Sequence, residues 1–199
     1  MKNSIKAFII IAAVTIKVAG VNAQSPETGK GIYLTEHDYK THHVSYNLSG
    51  QDKWTLNEFL NGKNVSLVYQ GKKVKLAKND IFGYRIDGHD FRFYNNEAYA
   101  IMDTAGFLLY SKQTLTQQGK GYKPVEQFYF SVNAGQPVME LTVRNLWNSF
   151  PKQPDFRYSI QSNFNGDADL LSYDKALGEY KIKYLFFKEK QAVSTQAKF

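Results

Sequence analysis

The chain has 199 residues, no cysteine and a formal net charge of +7. The lack of cysteine excludes disulfides, thiol catalysis, cysteine-ligated zinc and a cysteine-linked lipid anchor, so a core rich in aromatic side chains (15% of the sequence) must hold the fold together. The basic runs KKVK (72–75) and KEK (188–190) are too short for a nucleic-acid footprint, so they are interpreted as solvated strand faces or ends and no nucleic-acid partner is expected.

The N-terminus has the three parts of a secretory signal peptide. A basic segment, MKNSIK, precedes the apolar run AFIIIAAVTI, and small residues lead to a cleavage position after Ala23. The apolar run is about half of the ~20 residues that a membrane-spanning helix needs. We therefore expect residues 1–23 to be removed, which takes away three lysines and lowers the formal charge to +4. The mature protein is expected to be exported, periplasmic or extracellular, with no transmembrane segment.

The rest of the chain is predicted to form one β-rich domain, residues 31–188. It lies between a polar, flexible lead-in (24–30) and a polar, flexible tail (189–199). From Val65 onward, polar and apolar residues alternate in short runs separated by Gly, Asn and Asp. This pattern predicts an antiparallel meander.

Two dipeptides fix the expected register of the meander. Asp87-Gly88 predicts a type I′ hairpin, because both central residues of that turn need a positive φ. Asn95-Asn96 predicts a second two-residue turn. The resulting cross-strand pairs are Arg85–Asp90, Tyr84–Phe91, Arg92–Tyr99, Phe91–Ala100 and Phe93–Ala98. Aromatic rings then collect on one face, where small residues are expected to interdigitate with them, and the charges collect on the other, wetter face.

The C-terminal third changes to a helical period. Thr142 is a candidate N-cap for a helix that ends before Pro151, and a second short helix is expected at DADLLSYDKA (167–176). The alternating segment EYKIKYLFFK (179–188) is expected to rejoin the sheet as a strand. The predicted class is therefore α+β, mainly an antiparallel β meander (a curved sheet or a partly closed barrel) with two short C-terminal helices.

The polar clusters do not predict a catalytic or metal site. His89 and Asp90 are adjacent on a strand and point to opposite faces, so they cannot form a dyad with each other. His37, His42 and His43 lie at spacings of five and one residues, which favours surface histidines over converging metal ligands. No catalytic residue, metal ligand or cofactor is predicted.

A binding surface is the better hypothesis for the wetter face of the sheet. Arg92, Tyr94 and Tyr99 are expected to be neighbours there, and tyrosine rings on an exposed face could stack on sugars or peptides. The alternative is that helices cover this face and that the rings belong to the core or its rim.

Six short motifs stand out along the chain, namely GIYLTEHDYK (31–40), DIFGYR (80–85), AYAIM (98–102), FLLYS (107–111), LSYD (171–174) and EYKIKYLF (179–186). Together they resemble a family of uncharacterised exported proteins from Bacteroidota. The resemblance implies export to a Gram-negative envelope and a single domain, and it implies no activity, cofactor or catalytic residue. Phe82 stands where the family more often has tryptophan.

Three functions stay open at the level of sequence. The first is a non-catalytic binding or structural component of the cell envelope with an unknown macromolecular partner. The second is a small hydrolase or lyase acting on envelope or host polymers, which requires histidines to converge in a cleft. The third is a carrier of a small apolar ligand inside a curved sheet.

Overall fold

The computed structural model describes residues 29–57 and 62–196, so the expected signal peptide and residues 24–28 of the lead-in lie outside the described residues. The described strands are β1 (Lys30–Tyr33), β2 (Tyr46–Leu48), β3 (Lys53–Thr55), β4 (Asn64–Tyr69), β5 (Lys72–Ala77), β6 (Gly83–Ile86), β7 (His89–Tyr94), β8 (Glu97–Asp103), β9 (Leu108–Gln118), β10 (Gly121–Ser131), β11 (Met139–Glu140), β12 (Tyr173–Asp174) and β13 (Glu179–Tyr180). The described α-helices are α1 (Glu36–Lys40), α2 (Val143–Ser149), α3 (Pro154–Asn163) and α4 (Lys181–Gln196).

Eight strands form one antiparallel sheet in the order β11-β10-β9-β8-β7-β6-β1-β2. Both predicted turns are confirmed, since all four residues of Asp87-Gly88 and Asn95-Asn96 have a positive φ between 50° and 79°. The predicted cross-strand pairs are confirmed as well. Because β11 and β2 are free edges, the described part of the chain forms an open sheet rather than the partly closed form that was one of the two expected shapes.

The large sheet has two faces, which we name by the side chains they carry. The front face carries Tyr84, Phe91, Phe93, Ala98, Ala100, Ser111 and Leu109. The back face carries Tyr33, Arg85, Asp90, Arg92, Tyr99 and Tyr110. The alternation of side chains along each strand and the observed register fix this division.

Two separate units cover the front face. Strands β3, β4 and β5 form a small antiparallel sheet, whose buried Val65 and Leu67 pack against Tyr84 and Phe93. Helices α2, α3 and α4 pack against Leu109 and its neighbours at the other end, in a cluster dominated by phenylalanine rings. The part of the front face between these two clusters contains the small residues of β8 and β9.

The C-terminal third differs from the prediction in three places. The predicted strand 179–188 is wrong beyond Tyr180, because α4 begins at Lys181 and buries Ile182, Leu185 and Phe186 at helical spacing. The predicted helix at 167–176 is a 3₁₀ helix over Asp167–Leu171 followed by the short hairpin β12–β13. The α3 helix was not predicted.

The class itself is as expected, α+β with a mainly antiparallel sheet. The predicted α2 helix is confirmed, and the hydroxyl of Thr142 caps it by accepting from the backbone N–H of Asn145 at 3.1 Å. None of the helices among the described residues is long and apolar enough to cross a membrane.

Candidate functional site: a slot on the front face of the sheet

A hollow of about 430 Å³ lies on the front face beside the small sheet. Its floor follows one cross-strand row, in which Tyr84 pairs with Phe91, Phe91 with Ala100, and Ala100 with Ser111. The hollow exists because two small side chains follow two large rings along this row. We call it the front-face slot, and its lining residues are Lys78, Tyr84, Phe91, Asn96, Glu97, Ala98, Ala100, Ser111, Lys112, Gln113 and Glu126.

One wall of the front-face slot is aromatic. The rings of Tyr84 and Phe91 stack with their centroids 4.6 Å apart and their planes 4° from parallel. Tyr84 is buried, and Trp54 of the small sheet packs edge-on against it at 5.5 Å. Phe91 is only half-buried, with one side of its ring on Tyr84 and Ala100 opposite it on the next strand. The slot therefore offers a ligand one flat, apolar and firmly backed ring surface.

A hydrogen-bonded carboxylate lies behind the slot, on the back face of the same strands, where the register places the side chains of Glu97, Tyr99 and Lys112. Glu97 accepts from the ammonium group of Lys112 at 2.6 Å and from the hydroxyl of Tyr99 at 2.9 Å. Burial alone would raise the pKa of Glu97, but these two hydrogen bonds outweigh it and hold the pKa below its ordinary value. At neutral pH a carboxylate and an ammonium group are therefore held in fixed positions on the back face, behind the slot.

A buried lysine also lines the slot. Lys78 is 1% exposed, and its ammonium group donates to the carbonyl oxygens of Asn57 and Asn96, each at 3.1 Å. The same group lies 5.2 Å from the ring centroid of Phe93. These contacts tie the β7–β8 turn to the chain before β4, and they place a positive charge beside the apolar wall.

The hairpin β9–β10 extends the front face beyond the slot. We call residues 112–127 the arm, in which β9 and β10 stay paired down to Gln118 and Gly121. Leu115 and Tyr122 of the arm are 69% and 70% exposed, and the register places both on the same face as Ser111. Large apolar side chains that are this exposed and share one face are typical of a contact surface.

The structure brings the predicted trio of Arg92, Tyr94 and Tyr99 together on the back face, but not as an exposed platform. Arg92 and Tyr99 are each 6% exposed, and Tyr94 is half-buried. The guanidinium of Arg92 lies 5.7 Å from the Tyr94 ring centroid. Helix α1 and the 132–138 loop pack on these rings. The rings therefore belong to the core or its rim, as the alternative interpretation expected. The cover comes from α1 and this loop, however, and not from the C-terminal helices.

The charged hairpin residues form a structural pair. The hydroxyl of Tyr33 donates to Asp90 at 2.9 Å, and the guanidinium of Arg85 lies 3.5 Å from the same carboxylate. His89 is exposed at the end of the hairpin and lies on the opposite face from Asp90. Burial, together with the nearby Asp90 carboxylate, raises the pKa of Tyr39 on α1 to about 12. The contact between Arg85 and Asp90 matches the predicted cross-strand ion pair.

The remaining histidines do not converge on one point. His37 lies on α1, His42 and His43 follow it, and all three are exposed. His43 lies 3.7 Å from the carboxylate of Asp38. In residues 29–57 and 62–196, no group of three or more His, Asp or Glu side chains is arranged to hold a metal ion.

The slot could have been found only partly from the sequence. The sequence predicts the pairs Phe91–Ala100 and Phe93–Ala98, but from the sequence alone small residues opposite large ones indicate interdigitated packing rather than an open hollow. Lys78 was missed altogether, because a lysine in a turn gives no sign that it is buried. Comparisons with protein-family models, with curated proteins and with solved structures found no match, so the chemistry of the slot rests on its own residues.

Proposed function

We propose that this protein is an exported, non-catalytic domain of the cell envelope that binds a carbohydrate chain in the front-face slot. The observation that carries the proposal is the half-buried ring of Phe91, backed by Tyr84 and followed by two small residues. A hollow of about 430 Å³ is within the usual range for ligand sites, which is roughly 300–1,000 Å³.

The mixture of groups in the slot fits a sugar better than a purely apolar or a purely charged ligand. A sugar ring has a face of C–H groups, which packs on an aromatic ring, and an edge of hydroxyl groups, which both donate and accept hydrogen bonds. The slot supplies the ring of Phe91 for the first, and Gln113 and Glu126 for the second. Gln113 and Glu126 are exposed and opposite each other across β9 and β10, so both can turn toward a ligand.

The arm favours a polymer over a single sugar. The exposed Leu115 and Tyr122 continue the front face from Ser111. The six steps of strand from Ser111 to Gln117 span roughly 20 Å at about 3.3 Å per step. A chain of several sugar units, with one ring in the slot and another against Tyr122, would cover this surface.

A carrier of a small apolar ligand is the second candidate, and the apolar floor of the slot favours it. The polar side chains at the edge of the slot count against it, because binding a fully apolar ligand would desolvate Gln113 and Glu126 without new partners. The hydrolase or lyase hypothesis has no support from the histidines, which lie apart at α1 and at the end of the β6–β7 hairpin.

Filling the slot tests the proposal. Ala100→Phe places a third ring directly opposite Phe91, where a ligand ring would lie, and aromatic residues suit strand positions. The protein, as its expression host processes it, is first applied to an array of hexose, N-acetylhexosamine and uronic-acid oligomers. Bound glycans are then titrated calorimetrically against the wild type and the variant. We expect Ala100→Phe to abolish binding while the unfolding midpoint stays near that of the wild type.

Thr116→Phe is the matched control, because it adds the same ring to the neighbouring strand β9, on the exposed back face of the arm. It should bind glycans like the wild type. Equal binding by Ala100→Phe and wild type, or an array without any binding, would contradict the proposal. Binding of fatty acids or sterols that is lost in Ala100→Phe would favour the apolar carrier instead.

A further inference from the structure

The small sheet carries a cationic surface that the front-face slot does not use. On the side of this sheet that points away from the large sheet, side chains form two cross-strand rows. The register of β3, β4 and β5 gives the rows as Lys53–Val68–Lys73 and Thr55–Ser66–Lys75. We call these six residues the lysine face.

The opposite side of the small sheet explains why the lysines point outward. Val65 and Leu67 are buried against the large sheet, at 0% and 3% exposure, and Trp54 packs on Tyr84. Because side chains alternate along a strand, the neighbours of these residues must face solvent. Lys53, Thr55, Ser66, Lys73 and Lys75 are accordingly exposed.

The lysine face is flat, with a shallow depression between its three ammonium groups. Lys53 and Lys73 lie two strands apart, about 10 Å, and Lys73 and Lys75 lie about 7 Å apart along one strand. The depression has a volume of about 380 Å³, and the short side chains of Thr55, Ser66 and Val68 are among its lining residues. Hydroxyl donors surrounded by three cations suit a phosphate group.

The acid next to Lys53 in the sequence is held by backbone N–H groups rather than by a lysine of this face. Asp52, which precedes Lys53, uses its two carboxylate oxygens to accept from the backbone N–H groups of Gln70 and Ser49, at 2.9 Å and 3.1 Å. Among the residues that the structure describes, the ion pairs lie elsewhere and involve none of the three lysines of this face.

We infer that the lysine face docks the protein onto a membrane surface rich in anionic phospholipids. A flat array of cations around an apolar valine matches a flat, negatively charged bilayer surface. A nucleic acid is less suitable, because binding a single strand needs aromatic side chains for base stacking and the aromatic residue of β3, Trp54, faces the large sheet. This inference rests on different residues from those of the proposed glycan slot.

Vesicle sedimentation tests the inference with two matched triple variants of the protein as its host processes it. The first variant removes the charges of the lysine face by the substitutions Lys53→Gln, Lys73→Gln and Lys75→Gln. The second is the control and removes three exposed lysines elsewhere, by the substitutions Lys120→Gln, Lys152→Gln and Lys175→Gln. The vesicles contain phosphatidylcholine alone or a mixture with phosphatidylglycerol. Each lysine near an anionic surface strengthens binding about fivefold, so the first variant should lose on the order of a hundredfold on the mixed vesicles.

The control variant should bind the mixed vesicles within about twofold of wild type, because its three lysines lie away from the docked surface. Raising the salt concentration should release the wild type. The inference is overturned if both triple variants lose binding equally, since net charge alone would then explain it. It is also overturned if the lysine-face variant binds like the wild type, or if soluble polyphosphate binds the wild type as tightly as the vesicles do.

Discussion

The variant Arg92→Met tests how the back face of the sheet is held together. The guanidinium of Arg92 is buried, and it donates to the carbonyl oxygen of Gln136 at 2.8 Å, to the hydroxyl of Tyr110 at 2.9 Å and to that of Ser131 at 3.2 Å. Methionine keeps most of the side-chain volume but donates no hydrogen bond. The variant therefore removes the polar link between the sheet and the 132–138 loop without opening a large cavity.

The expected loss of stability follows from these contacts. The hydroxyls of Tyr110 and Ser131 still bond to each other at 2.8 Å in the variant, so they count together as one lost partner, and the carbonyl of Gln136 is the other. Hydrogen bonds from a charged donor contribute about 1.5–3 kcal/mol each, so the loss is about 3–6 kcal/mol. Burial of the apolar methionine side chain stabilises the variant by about 1.5 kcal/mol, which leaves a net destabilisation of about 3 kcal/mol.

Urea unfolding followed by circular dichroism measures this difference directly. In thermal unfolding the same destabilisation should lower the midpoint by about 6–12 °C. Hydrogen exchange of the backbone N–H groups of residues 134–136 and 138 should become faster, because the loop loses its anchor. Arg144→Met is the control, an exposed arginine on α2 whose loss should change stability by less than about 0.5 kcal/mol. A loss below about 1 kcal/mol for Arg92→Met, or unchanged exchange in the loop, would refute this account of the back face.

Two further predictions concern a buried charge and a close approach of two strands. Burial, opposed by the Asp103 carboxylate, lowers the pKa of Lys183 from 10.5 to about 8. Between pH 8 and 10.5 the unfolded chain binds a proton at Lys183 that the folded chain does not. The unfolding free energy of the wild type, measured relative to that of Lys183→Met, should therefore rise with pH across this window. A difference that stays constant with pH would contradict this. Gly83→Ala should lower the unfolding free energy measured in urea by more than about 3 kcal/mol, because the added methyl group would overlap the carbonyl oxygen of Phe91. Gly121→Ala is the control: its methyl group meets no atom within 4 Å and should leave the stability nearly unchanged.

The meander was predictable because its determinants are local. Asp87-Gly88 and Asn95-Asn96 each specify a turn, and the turn then fixes every pair in its hairpin. The C-terminal segment failed for the opposite reason. In KIKYLFFK the apolar residues fit both a period of two and a helical spacing, and packing of Ile182 and Phe186 against the other helices decides for α4.

The candidate site was only half predictable because burial of a sheet face depends on distant segments. The sequence placed Arg85, Asp90 and Arg92 on one face and Tyr84, Phe91 and Phe93 on the other, as the register confirms. It could not indicate that α1 and the 132–138 loop cover Arg92 and Tyr99, or that the small sheet and the helices leave Ala100 and Ser111 uncovered. Which polar residues end up buried is decided by that coverage, as Lys78 illustrates.

The position of β1 within the large sheet has a consequence for folding kinetics. Strands β6 to β10 follow one another as hairpins, so their contacts are local and can form early. In contrast, β1 pairs with β6 across about fifty intervening residues, as in the pair Tyr33–Gly83. The small sheet is built from that intervening segment and shortens the loop that must close. Of the described strands, β1 is the earliest in the sequence, yet it is expected to enter the sheet late, together with its partner β2. Until it does, the folding chain exposes the unpaired edge of β6 to aggregation.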